Sequence, residues 1–151
     1  MQELNLPDFP IKIIDKDGKP YVWDIFRKAY VKLTPEEWVR QNFLWWLSIE
    51  RGYPKALIAV EAGLRYNKLP KRADAIVFGR SGKPLMIIEC KAAGIKITKE
   101  VFDQIAGYNY GFGVSYLVVT NGMEHYCCKR ETGAGTWLFL DHVPCYKDLN
   151  T

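Results

Sequence analysis

Leu85-Met86-Ile87-Ile88-Glu89-Cys90-Lys91 is the stretch on which the fold turns. Its first four residues are continuously apolar, as in a central strand covered on both faces. Side chains alternate along a strand, so Glu89 and Lys91 share one face while Cys90 points into the other layer. Two charges at the end of so apolar a strand are costly unless they are paired or bind a metal. The plainer reading of a lone Glu-x-Lys is a strand emerging into solvent.

The preceding residues favour the first reading. Ala73 to Phe78 is a second apolar run, joined to Leu85 through the short, turn-rich Gly79-Arg80-Ser81-Gly82-Lys83-Pro84, so the two strands are expected to form an antiparallel hairpin. In such a hairpin the start of one strand lies beside the end of the next. Asp74 and Glu89 are thus brought together although they are fifteen positions apart. Two carboxylates and an ammonium at one sheet end suit Mg²⁺, a hard cation that prefers oxygen ligands and retained water. Lys91 then orients a water or offsets transition-state charge. The Ser81-Gly82-Lys83 fragment is a turn and not a phosphate loop, because Val77 stands where the loop requires glycine and Pro84 where it requires Ser or Thr.

Upstream, Thr34-Pro35-Glu36-Glu37 places a capping hydroxyl, a proline at the first helical position and a glutamate three residues after the cap. The helix it opens runs through Trp38, Phe43, Leu44 and Leu47 and ends at Gly52. Residues 10–33 read as a β-hairpin around Asp15–Lys19, and Ala56 to Ala62 as a further strand. Downstream, Thr98 caps a second helix carrying Val101, Phe102, Ile105 and Tyr108. Ser115–Thr120, Glu124–Lys129 and Thr136–Leu140 follow as strands, the first two joined at Asn121-Gly122. The expected architecture is α/β: a mixed sheet flanked by helices in the order αβββαβ, with a right-handed crossover setting Leu85–Lys91 near Ser115–Thr120. It is expected as one domain over 1–151, with an N-terminal β extension (1–33), a core (34–140) and a tail (141–151).

Composition sets outer limits. The chain has 151 residues, 48% hydrophobic and 25% charged, which excludes disorder, collagen and coiled coil. No apolar run approaches the ~20 residues of a membrane span, and the first residues lack a secretory leader. Four cysteines in that setting are expected as reduced thiols in a cytoplasmic protein. His125, Cys127, Cys128, His142 and Cys145 lack paired C-x₂-C hooks, so structural zinc is disfavoured. A net charge of +4 is compatible with a polyanion partner without demanding one.

Asp74, then Glu89-x-Lys91 closing an apolar strand, resembles the PD-(D/E)XK nuclease superfamily, with Ala73 where that family often has proline. Gln104-Ile105-Ala106-Gly107-Tyr108 is similar to the Q-x-x-x-Y pattern of its RecB-like branch, and the spacing puts Gln104 and Tyr108 on one helix face. LTPEEWVRQ, YPKALIAVE, KRADAIVF, IIECKA, FDQIAGYN and VTNG, in that order, resemble the N-terminal nuclease domain of type I restriction enzyme R subunits. The resemblance implies a restriction-endonuclease-like core that hydrolyses DNA phosphodiesters with Mg²⁺ or Mn²⁺. By position, Asp74 and Glu89 are then metal ligands, Lys91 the catalytic lysine, and Gln104 and Tyr108 supports of the site or contacts to the substrate backbone.

Members of that superfamily often add an acid from the first helix. Glu37 is the candidate, although a capping box accounts for it equally well. Lys68, Lys71, Arg72, Lys96 and Lys99, near these motifs, are candidate phosphate contacts. The rival reading is a catalytically silent nucleic-acid-binding or assembly module that retains the fold. At 151 residues there is no room for the motor of the R subunits, so separate motor or specificity subunits are the expected partners.

Overall fold

A computed structural model describes residues 1–61, 63–66, 69–110, 113–131 and 136–149. The N-terminal segment forms three strands, β1 (Ile13–Lys16), β2 (Lys19–Asp24) and β3 (Ala29–Lys32), paired antiparallel in that order. The first turn is a two-residue loop in which Asp17 (φ 54°) and Gly18 (φ 76°) are both left-handed, matching the twist of the flanking strands. The expected hairpin therefore gains a third strand. The reason is local: Asp24 Oδ1 accepts hydrogen bonds from the backbone N–H groups of Phe26 (2.7 Å) and Arg27 (3.2 Å), turning the chain back on itself.

Helix α1 (Pro35–Glu50) starts as expected, with Thr34 Oγ1 accepting from the Glu37 N–H at 3.0 Å and proline at the first turn. It ends at Gly52 (φ 69°), where the Tyr53 N–H reaches back to the Leu47 carbonyl at 3.1 Å. A short 3₁₀ turn (Lys55–Leu57) replaces the first half of the strand expected at Ala56–Ala62, leaving β4 as Ile58–Val60. A small unexpected hairpin follows, β5 (Gly63–Tyr66) with β6 (Leu69–Arg72).

The main sheet has six strands. β7 (Ala75–Phe78) and β8 (Pro84–Cys90) form the expected antiparallel hairpin, with Ala75 opposite Ile88. Helix α2 (Lys99–Tyr110), capped by Thr98 Oγ1 at 3.2 Å from the Val101 N–H, carries the chain across to β9 (Tyr116–Thr120), which runs parallel to β8. β10 (His125–Arg130) and β11 (Trp137–Leu140) complete the order β11-β10-β9-β8-β7-β4.

Alternation divides the core in two. Ala75, Val77, Met86, Ile88 and Val118 pack with Val39, Phe43, Leu44 and Leu47 of α1. Ile76, Ile87, Leu117 and Val119 pack with Phe102 and Ala106 of α2. The adjacent Cys127 and Cys128 are buried and fall into opposite layers, each as a free thiol. Among the described residues no helix is long and apolar enough to cross a membrane.

Candidate active site

The hairpin register decides which charges meet. Ala75 faces Ile88, so Asp74 and Glu89 are next in line at the same sheet end. Asp74 Oδ2 accepts a hydrogen bond of 2.6 Å from the Cys90 N–H, and its carboxyl is within hydrogen-bond reach of Glu89. Lys91 leaves the strand here, its backbone N–H bonded to the Thr120 carbonyl at 2.8 Å. Its ammonium attracts Asp74, Glu89 and Glu36.

Burial, followed by repulsion from Asp74, pushes the Glu89 carboxyl well above the ordinary carboxylate range. Burial also raises Asp74, opposed by the Cys90 N–H, Arg40 and Lys91. Glu89 Oε1 is shielded from solvent with no hydrogen-bond partner. Two crowded carboxylates with an orphaned oxygen call for a proton or a cation, so the donor set fits a hard divalent metal that keeps several waters. Among the described residues no group of three His, Cys, Asp or Glu side chains forms a ready-made ligand set, so water or substrate oxygens would supply the remaining positions.

Glu37 is engaged elsewhere. Its Oε1 accepts from Arg27 Nη2 and Arg40 Nη2, each at 2.7 Å, and its Oε2 from Arg40 Nε (3.0 Å) and Gln41 Nε2 (3.1 Å). Burial opposes its charge, but these hydrogen bonds outweigh that and hold its pKa below the usual value. The acid of α1 that senses the site is Glu36. Burial and then Asp74 raise its pKa, and it lines a cleft of ≈ 590 Å³ with Glu37, Arg27, Lys32, Arg40 and Glu61.

Arg40 is the hub. Buried on α1, it pairs with Glu37, with Glu61 at 3.3 Å and with Asp74 at 3.4 Å. Arg27 pairs with Asp24, with Glu37 and, at 3.4 Å, with Glu61. Glu61 holds a left-handed backbone (φ 51°), and its N–H donates to the Asp74 carbonyl at 2.9 Å. An ion-pair chain thus links the N-terminal sheet to Asp74. An arginine four residues after Glu36, inside an otherwise apolar helix, was the sequence signal for it.

Gln104 and Tyr108 are both exposed, on the flank of α2 away from Phe102 and Ala106, which face the sheet. Arg72 is exposed and donates to the Glu61 carbonyl at 2.8 Å. Lys96 is exposed, and Lys99 is exposed and paired with Asp103 at 2.7 Å. Lys68 and the side chain of Lys71 lie outside the described residues.

Residues 35–144 match the family described as type I restriction enzyme R protein N terminus (HSDR_N). The chain belongs to that family. A solved fragment described as "a putative HsdR subunit of a type I restriction enzyme", from Vibrio vulnificus YJ016, shares the fold at a TM-score of 0.55 and 19% identity, over 78% of this chain and 24% of that one. The chain thus spans about a quarter of the length of that solved HsdR fragment. Among the curated proteins none matches. Membership of the HSDR_N family is consistent with a restriction-type nuclease module.

Proposed function

We propose that this chain is the nuclease module of a restriction-type system, hydrolysing DNA phosphodiester bonds with Mg²⁺ or Mn²⁺. The observation that supports this reading is the meeting of Asp74, Glu89 and Lys91 at one end of β7 and β8 in a member of the HSDR_N family. Asp74 and Glu89 hold the metal, with Glu36 rather than Glu37 as the α1 acid facing it, through water or directly. The bound metal supplies charge stabilisation at a phosphate oxygen and lowers the pKa of a coordinated water. Lys91 orients the attacking water or neutralises developing charge. Arg40 holds Asp74, and the Cys90 N–H fixes its outer oxygen. The exposure of Gln104 and Tyr108 suits contact with a substrate strand better than support of the carboxylates. As a member of the HSDR_N family, the module is read as acting on DNA together with the motor and specificity functions of a multi-subunit restriction system.

The deciding experiment incubates linear, nicked and circular DNA with Mg²⁺ or Mn²⁺ and compares wild type with Lys91→Ala. Metal-dependent cleavage lost in the variant supports the reading. Wild type and variant behaving alike on every substrate, with or without metal, removes it.

A further inference from the structure

The N-terminal sheet precedes the family match, which begins at residue 35, and its outer face takes no part in the chemistry above. Directly paired residues of neighbouring strands share a face. Ile14 pairs with Tyr21 and Lys16 with Lys19; Tyr21 pairs in turn with Lys32, and Trp23 with Tyr30. Alternation puts all of these on one side, opposite the buried Val22 and Asp24. Lys12 joins them, its Nζ 5.7 Å from the centre of the Tyr30 ring.

The face therefore carries four exposed lysines, at 12, 16, 19 and 32, among three aromatic rings. Asp15 and Asp24 pair with Pro20 and Ala29 and fall on the opposite face, while Asp17 sits in the turn. The rings are ordered relative to the charges: Lys16 Nζ lies 6.0 Å from the Tyr21 ring, and Trp23 meets Tyr30 edge to face at 5.1 Å. Lys32 also lines the cleft that holds Glu36 and Arg40, so the face reaches the edge of that cleft.

We propose that this face binds a single-stranded stretch of nucleic acid and leads it into the cleft, with lysine ammoniums on phosphates and Tyr21, Trp23 and Tyr30 beneath bases. Lysines interleaved with rings, without an acid between them, match a chain of phosphates carrying flat, apolar bases. A duplex keeps those base faces stacked inside and would use the lysines alone. The inference rests on nucleic acid being the substrate, but not on catalysis.

The test is fluorescence anisotropy of a fluorescein-labelled oligo-dT with the full chain in EDTA, across a salt series. Wild type is expected to bind, with log affinity falling by roughly 0.7 per contacted phosphate for each unit of log salt. Lys16→Glu with Lys19→Glu is expected to weaken binding at least about tenfold and to flatten that slope. Tyr21→Ser is expected to cost about five- to a hundredfold while leaving the slope unchanged. The lysine pair flanks an exposed turn, so that variant decides if Tyr21→Ser fails to fold by circular dichroism.

Binding by the lysine variant within twofold of wild type overturns the proposal, as does a duplex of equal length binding as tightly as the single strand. Unchanged binding in the lysine variant, beside cleavage that still depends on Lys91, removes this inference alone. Absent cleavage with intact, lysine-dependent binding removes the nuclease reading alone.

Discussion

Asp74 stands before β7, yet its carboxylate is bonded at 2.6 Å to the backbone N–H of Cys90, the residue between Glu89 and Lys91. The two strands of the hairpin are thereby locked at the end where their charges collect. Asp74 is held from three sides, by that N–H, by Arg40 at 3.4 Å and by the ammonium of Lys91. Glu89, its neighbour, keeps one oxygen without any donor. The asymmetry separates what each carboxylate does for stability from what it does for chemistry.

Glu89→Gln follows from that asymmetry. The amide needs no proton to sit beside Asp74 and can still donate to it, so the metal-free protein should gain roughly 1 kcal/mol or more at neutral pH by avoiding the cost of protonating Glu89 on folding. Metal-dependent cleavage should fall at least about a hundredfold, since a ligand that places several kcal/mol of charge stabilisation is lost. Urea denaturation in EDTA and a cleavage time course check the two halves. A variant that is both less stable and still active would contradict the reading of Glu89.

Arg40→Met should be costly in a way that surface pairs are not. The guanidinium and Glu37 each expose only 6% of their side chains, so truncating Arg40 leaves a buried Glu37 with only Arg27 and Gln41 as partners and takes the arginine from Asp74. Breaking such a pair costs roughly 3–5 kcal/mol. Lys99→Ala breaks the pair with Asp103, but at 89% side-chain exposure it should leave the unfolding midpoint unchanged. Urea midpoints for the two variants, measured side by side, give the comparison.

Much of this arrangement was legible from local signals. The apolar run to Ile88, the short Gly79–Pro84 connection and strand alternation suffice to place Asp74 beside Glu89, and Thr34-Pro35 suffices to start α1. Choosing between Glu36 and Glu37 was a different problem. Adjacent helical side chains point about 100° apart, so the choice depends on how α1 is rotated against the sheet, a tertiary fact. The resemblance pointed to an acid on α1 and the capping pattern offered a second reason for Glu37, whose backbone N–H does serve the cap, while its carboxylate serves Arg27 and Arg40. β3 escaped for a similar reason: it forms because the Asp24 side chain closes a turn, and no periodicity announces that.

Gly122→Ala should destabilise the junction between the N-terminal residues and the β9–β10 turn. Gly122 has φ 82°, and a Cβ there would come within 2.8 Å of Leu4 Cδ2. Its carbonyl also accepts the Asn5 N–H at 2.9 Å. An L-residue forced into that conformation costs about 1 kcal/mol or more, before any displacement of Leu4. The expected readout is a lower thermal midpoint with faster hydrogen exchange at Asn5.

His125 gives the stability a pH dependence with a definite sign. The ring is packed between Phe43 and Trp46, at 5.3 and 5.8 Å, with Nδ1 2.7 Å from Thr120 Oγ1 and Nε2 3.3 Å from the Asn5 carbonyl. Burial holds its pKa below the ordinary value of 6.5, against the weaker opposing pull of that carbonyl. The unfolded chain therefore binds the proton first as the pH drops. The contribution of the neutral ring is complete above about pH 6.5 and is lost as pH falls through the lower native value. Urea midpoints from pH 7.5 to 5 should decline more steeply for wild type than for His125→Gln, which cannot take up the proton. Parallel slopes for the two proteins would show that His125 already titrates in the fold as it does in the unfolded chain.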